Sequence, residues 1–292
     1  MKKVLCLINP ISGGLDKSSF KSQVKKFCER ENYELHFIET TGENDDQLLA
    51  QNLTSEKPDL LLICGGDGTV NLAATCLQHL EQNVLTGIIP LGSANGMAED
   101  LNIPEDINRA LNLLTRGKEK SIDVLQVNDQ YSIHLSDLGF NAKLIRKFEM
   151  SGNRGKWNYA RHFFRVLREQ AVSEYSVLMN GELHSFKAQM VAIANARRYG
   201  TGAVINPKGH PDDGKFEICI FKPYPWYAFF GITWRFFTGD ISSSPYVKII
   251  STKEALIMVN PDEILQVDGE VIGPTSKVEV SISSKPMRVI AG

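Results

Sequence analysis

Hydrophobic positions in the first third of the chain alternate between two periods. Short continuous apolar runs occur at 3–8, 33–38, 59–64 and 86–89, each ended by Gly, Pro, Asn or Thr, and each reads as a buried strand. Between the first two, in "DKSSFKSQVKKFCER", Phe20, Val24, Phe27 and Cys28 stand at i, i+4, i+7 and i+8, which places them on one face of a helix. The second interval has the same periodicity. Strand and helix alternating in this way predict a parallel sheet with helices on both faces, joined by right-handed crossovers.

From about Ser121 the texture changes. "SIDVLQV", "YSIHLSDLGF", "EYSVLMNGELHSFKAQMVAIANA", "KFEICIF", "ALIMV" and "KVEVSI" are strand-like pieces separated by turns such as Asn180-Gly181 and Asp213-Gly214. Helices are expected at 154–171 and near 226–237. The fold class is α/β: an N-terminal doubly wound parallel α/β domain over residues 1–122, with 285–292 free to return to it, and a C-terminal mostly antiparallel β-sandwich domain over 123–284.

Composition narrows the function classes. With 292 residues, 42% of them hydrophobic, there is enough apolar material for two cores. A net charge of −2 argues against a nucleic-acid partner, which calls for a basic excess. Cys6, Cys28, Cys64, Cys76 and Cys219 are scattered without a CxxC pair, so neither a disulfide framework nor a zinc site is expected. Pro10 ends the first apolar run too soon for a signal peptide, and no window approaches the roughly 18 apolar residues of a membrane span. A cytoplasmic protein is expected, with peripheral membrane contact and a homodimer left open.

The candidate chemistry sits in loops. In an open parallel sheet, ligands bind beyond the carboxyl ends of the strands, where helix N-termini present free amides. "NPISGG" (9–14), "TTGEND" (40–45), "GGDGT" (65–69) and "PLGSANG" (90–96) all follow predicted strands, and together they suit a polyphosphate. A Walker A loop needs Gly-Lys-Ser/Thr, and a dinucleotide GxGxxG starting at Gly66 needs glycine at Asn71, so neither is present. Gly65, Gly66 and Gly68 allow close approach of phosphate oxygens and Thr69 offers a hydroxyl. Asp67 repels a polyphosphate, so it works either through Mg²⁺ and water or by orienting the loop. The plain alternative is a strand-to-helix turn with Asp67 near the cap.

The motifs "NPISGG", "GGDGTVN", "PLGSAN", "LGFNA", "ANARRYGTG", "PDDGKFE" and "VDGE" occur in the order and spacing of the diacylglycerol kinase catalytic-domain family, which this chain resembles over nearly its whole length. The resemblance implies that Asn9, Pro10, Ser12, Gly13, Thr40, Gly65, Gly66, Gly68, Thr69, Ser93 and Asn95 bind ATP, with Asp67 part of the catalytic machinery. It implies that Asp213 helps hold Mg²⁺ and that Glu270 is the base for a lipid hydroxyl, with Asp268 beside it to tune or orient it. Phosphoryl transfer needs such parts: a cation to neutralise charge and a carboxylate for the hydroxyl proton. Read alone, "PDDG" is a turn, and "VDGE" is as well read as a hairpin turn with solvated acids.

The chain departs from the family pattern at Leu72, Gly96 and Asn141, where acidic residues are common, and at Gly14, where some bacterial members have lysine. Ser93 keeps the hydroxyl of the usual threonine. The expected activity is an ATP- and Mg²⁺-dependent kinase acting on diacylglycerol or a related long-chain lipid. The rivals are an NAD kinase-like enzyme, which shares GGDGT, and a non-catalytic nucleotide or lipid sensor. "RGKWNYARHFFRVLRE" (154–169) reads either as a basic-aromatic membrane surface or as a packing helix, and "YPWYAFFGITWRFFTGD" (224–240) as a buried element or a greasy channel.

Overall fold

The computed structural model describes residues 1–12, 17–93, 95–139, 172–199 and 203–292. The expected helix at 154–171 and the positions Gly13, Gly14 and Asn141 lie outside the described residues. The chain divides into two compact units, one built from Met1–Val124 together with Ser283–Gly292, the other from most of the sequence between.

The first unit holds a six-stranded sheet. Strands β1 (Lys2–Ile8), β2 (Tyr33–Glu39), β3 (Leu60–Gly65) and β4 (Leu85–Pro90) run parallel in the order β2-β1-β3-β4. They alternate with helices α1 (Lys17–Arg30), α2 (Asp45–Glu56) and α3 (Asp67–His79). On α1, Phe20, Val24, Phe27 and Cys28 are all buried, so the four-residue apolar face read from the sequence is the face that packs. Strands β1 and β3 are buried along almost their whole length because helices cover both faces, which is why they read as continuous apolar runs. After β4 come α4 (Gly96–Asp100), α5 (Ile107–Arg116) and β5 (Lys118–Ile122).

The second unit is dominated by antiparallel pairing in a ten-stranded sheet. Its strands are β6 (Leu125–Val127), β7 (Gln130–Ser132), β8 (Leu135–Gly139), β9 (Ser173–Met179), β10 (Glu182–Ala188), β11 (Met190–Ala194), β14 (Phe216–Phe221), β15 (Val247–Thr252), β16 (Glu254–Val267) and β17 (Glu270–Ile282). A short ribbon of β12 (Arg198–Tyr199) and β13 (Ala203–Val204) precedes β14. The Asn180-Gly181 hairpin forms as read, with both residues at positive φ and Met179 paired to Glu182. Helix α6 (Ala228–Thr238) occupies the segment expected near 226–237. One core gathers Leu138, Tyr175, Val177, Ile193, Phe216, Ile257 and Val278, and a second surrounds Leu135, Phe221 and Ile241.

The final strand, β18 (Met287–Ala291), lies in the sheet of the first unit, parallel to β4 and antiparallel to β5. The five cysteines are buried and free. Among the described residues no helix is long and apolar enough to cross a membrane.

Candidate active site

Because β1, β2, β3 and β4 are parallel, the loops that follow them emerge at one edge of the sheet. There Asn9, Ile11, Ser12, Gly66, Asp67, Gly68, Thr69, Gly92 and Ser93 line a cavity of about 500 Å³. Three of the four glycine-rich loops named above therefore meet at one place. Thr40, from the fourth, does not line the cavity: it is buried, and its amide donates to Ile8 O at 2.9 Å, fastening the end of β2 to β1.

The residues of GGDGT divide by task. Gly65 ends β3, and a Cβ there would come within 2.6 Å of Thr69 Cβ, so its bareness serves the packing of the turn and not a ligand. Gly68 lies in the first turn of α3, and a Cβ there would meet nothing within 4 Å, so the space above it is open to the cavity. Gly66 is the extended N-cap of α3, which leaves the first amides of the helix at the cavity. Asn9 Nδ2 donates to Thr69 Oγ1 at 3.4 Å and its Oδ1 accepts from Ile11 N at 3.1 Å, so one side chain joins the β1 loop to the helix start.

Asp67 has both carboxylate oxygens occupied by protein. Oδ2 accepts from Gly96 N at 2.9 Å and Oδ1 from Met97 N at 3.1 Å. Of the roles weighed for Asp67, this geometry matches the orienting one: the carboxylate sits at the start of α4 and fixes the β4 loop against the β3 loop. Gly96, where the resemblance leads one to expect an acid, supplies a backbone donor in this arrangement. Asn95 braces the same loop from within, accepting from Gly92 N at 2.9 Å and donating to Gly92 O at 3.0 Å. Neither Asn95, Pro10 nor Gly65 lines the cavity; Gly92, which does, escapes a residue-by-residue reading because it contributes only backbone.

In the second unit, "VDGE" forms a two-residue hairpin between β16 and β17. Val267 pairs with Glu270, and Asp268 and Gly269 have φ of 45° and 95°, the geometry that favours Asp-Gly. It is a hairpin turn, but Asp268 is not a solvated acid. Its carboxylate accepts from Ser132 Oγ at 2.9 Å, Ile133 N at 2.8 Å, His134 N at 3.2 Å and Leu135 N at 2.8 Å. Burial pushes the Asp268 carboxyl above its ordinary range, while the nearby His134 and these donors pull the other way. On the other side of the turn, Gln266 accepts from Gly269 N and donates Nε2 to Asp137 Oδ2 at 2.7 Å. Gln266 and Asp137 are completely buried, and nothing in the sequence pattern singles them out. Glu270, one residue past this clamped turn, is exposed.

Asp213 is exposed in the turn before β14, where its Oδ1 accepts from Lys215 N at 3.0 Å. Glu217, four residues on, is buried, which raises its pKa; hydrogen bonds from Asn206 and Ser251 oppose that rise, and the charge of Asp213 adds to it. Among the described residues no three His, Cys, Asp or Glu side chains are grouped to hold a metal. An exposed carboxylate with a second acid in electrostatic range fits Mg²⁺ only in its usual form, with most ligands supplied by water and phosphate oxygens.

A sheet edge that gathers glycine-rich loops and a helix N-terminus into a cavity is suited to hold a phosphorylated ligand. Comparison with known proteins makes the class specific. Residues 3–127 match the diacylglycerol kinase catalytic domain model, and residues 137–291 match the YegS C-terminal NAD kinase beta sandwich-like domain. The chain is 27% identical over 278 residues to the diacylglycerol kinase of Bacillus subtilis, covering 94% of this chain and 91% of the relative. Its fold is similar to that of a diacylglycerol kinase from Bacillus anthracis, with TM-score 0.76 and 20% identity over 100% of this chain and 97% of that one. An NAD kinase from Archaeoglobus fulgidus solved with ATP shares the fold at TM-score 0.59 and 11% identity, covering 99% and 93% of the two chains. The chain belongs to the diacylglycerol kinase catalytic-domain family and is a lipid kinase.

Proposed function

We propose that the protein transfers the γ-phosphate of ATP to a hydroxyl of diacylglycerol or a related long-chain lipid, in the cytoplasm and with Mg²⁺. The nucleotide is assigned to residues 1–122 with 285–292, and the acceptor to residues 123–284. The observation that carries the reading is the cavity formed by the β1, β3 and β4 loops at the start of α3. Its donors are of the kind that receive polyphosphate: helix amides, the Thr69, Ser12 and Ser93 hydroxyls, and the Asn9 amide.

In this reading Gly66, Gly68 and Thr69 face the phosphates, and Asp67 acts through the backbone it holds. Glu270 orients the lipid hydroxyl and accepts its proton as the oxygen attacks the γ-phosphorus, the bond from that phosphorus to the bridging oxygen breaks and ADP leaves; Asp268 and Gln266 fix the turn from which Glu270 projects. Asp213 would help hold Mg²⁺, and the bound cation would supply charge neutralisation for phosphoryl transfer.

Radiolabelled ATP incubated with diacylglycerol, wild type beside Glu270→Gln, tests this. Label in lipid from wild type and a loss of about a thousandfold or more in the variant support it. Label transferred to NAD and not to lipid overturns it in favour of the NAD kinase reading. ATP binding without any transfer overturns it in favour of a sensor.

A further inference from the structure

The aromatic segment around α6 does not line the loop cavity, and its two faces have different surroundings. The inner face is committed to the protein: Ile232 and Phe236 pack with Tyr224 on the core of Leu135, Cys219 and Phe221, the Phe236 ring lying 5.9 Å from that of Phe221. The outer face carries Tyr227 (63% exposed), Phe230 (55%), Trp234 (70%) and Phe237 (63%). Their spacing is i, i+3, i+7 and i+10, which the 3.6-residue turn gathers into one arc of roughly 80°. Trp226, also 63% exposed, extends the stripe at the start of the helix. Isolated exposed apolar residues are ordinary on protein surfaces, but a contiguous stripe of large aromatic ones marks a surface meant to be covered.

Three properties specify what covers it. Tyrosine and tryptophan have an apolar ring and a polar tip, the combination enriched where hydrocarbon meets water. From Lys222 to Asp240 the chain contains Lys222, Arg235 and a single acid, Asp240, whose carboxylate is joined to Arg235 through the Ser243 hydroxyl, which leaves Lys222 as the free cation and a small basic excess that complements an anionic surface. At 11 residues α6 reaches only about half the hydrocarbon thickness of a bilayer, so it suits lying in the interface plane and not spanning it.

We propose that the outer face of α6, with Trp226, docks on the surface of an anionic lipid bilayer, its rings entering the headgroup boundary and Lys222 meeting lipid phosphates. The purpose, bringing a kinase to a substrate held in the bilayer, rests on the lipid-kinase reading; the docking itself does not.

The full chain is floated with vesicles of phosphatidylcholine containing phosphatidylglycerol and with vesicles of phosphatidylcholine alone, beside the double variant Phe230→Ser/Trp234→Ser. The wild type is expected to partition onto both, more strongly onto the anionic ones. The variant should partition roughly tenfold or more weakly. It should keep its melting temperature and its rate on a water-dispersed short-chain diacylglycerol. Equal partitioning of the two proteins overturns the proposal, as does a wild type that stays off the vesicles. A wild-type dimer that the double variant turns into a monomer overturns it too, because a second copy would then cover the face. Absence of kinase activity on the dispersed lipid, with vesicle binding intact, counts against the kinase reading alone.

Discussion

Gly65 and Gly68 stand three residues apart in one motif and answer to different constraints. A methyl group on Gly65 would be driven into the Thr69 side chain inside the turn, whereas a methyl group on Gly68 enters open space at the cavity. Gly65→Ala should therefore lower the melting temperature, at a cost of about 1–3 kcal/mol for overpacking. Gly68→Ala should leave stability unchanged or raised by about 0.5–1 kcal/mol, since alanine is the better helix former, while weakening nucleotide binding. Thermal melts paired with ATP titrations separate the two, and a Gly68→Ala protein that binds ATP as well as wild type would remove the phosphates from that spot. Asp67 makes a second contrast. Asp67→Ala removes the acceptor for the Gly96 and Met97 amides, so turnover should collapse with a stability loss of about 1–3 kcal/mol, too little to unfold the chain. Near-normal turnover in that variant would show that the alignment of the β4 loop does not matter to the reaction.

At the scale of elements, the β16–β17 hairpin shows how a common turn becomes a rigid mount. Asp-Gly alone accounts for the tight reversal, but four donors on Asp268 and the Gln266–Asp137 link hold it from both sides. Gln266→Leu is of similar bulk and removes both the bond to Asp137 and the bond from the Gly269 amide. On the role proposed for Glu270, it should lower kcat by about tenfold or more with little change in the KM for ATP, because the proposed base is misplaced while the loop cavity is untouched. A rise in KM for ATP with kcat intact would place Gln266 in nucleotide binding instead. This hairpin also marks the boundary of what could be read from the chain. The α1 face and the loop positions at the ends of β1, β3 and β4 were legible because helix period and strand order are carried by neighbouring residues. The partners of Asp268 lie on Ser132 to Leu135, and those of Asp67 on Gly96 and Met97, distances at which a sequence shows the acid but not what it holds. Strand β16 hid its length for another reason: only "ALIMV" reads as a strand-like piece, because Asn260-Pro261 interrupts the run. The pairing with β17 passes through that point with a register shift between Met258 and Glu263, since a bulge tolerates the proline that a regular ladder would not.

For the molecule as a whole, the path of the chain ties the first unit to its own far end. After the second unit is complete the chain returns as β18 and lies between β4 and β5, with Met287, Val289 and Ala291 buried there. Polar contacts hold it along its length. Gln78 Nε2 donates to Lys285 O at 2.7 Å, Thr86 Oγ1 donates to Arg288 O at 2.6 Å, and Arg288 reaches both oxygens of Glu119 at 2.6 and 2.8 Å. Without β18, strand β4 loses its neighbour and exposes an unpaired edge, and β5 loses its pairing with the sheet. Strand β4 also leads directly into the loop that bears Gly92 and Ser93. A chain truncated after Ile282 should therefore lose ATP binding along with the cooperative melting of the first unit, although every cavity residue is still present. Residues 1–124 alone should fare no better, since they lack the same strand. Adding residues 283–292 to that fragment as a separate peptide should restore protection of the β4 amides in hydrogen exchange. A truncated chain that melts cooperatively and binds ATP like the full one would mean that β18 only covers an already stable sheet.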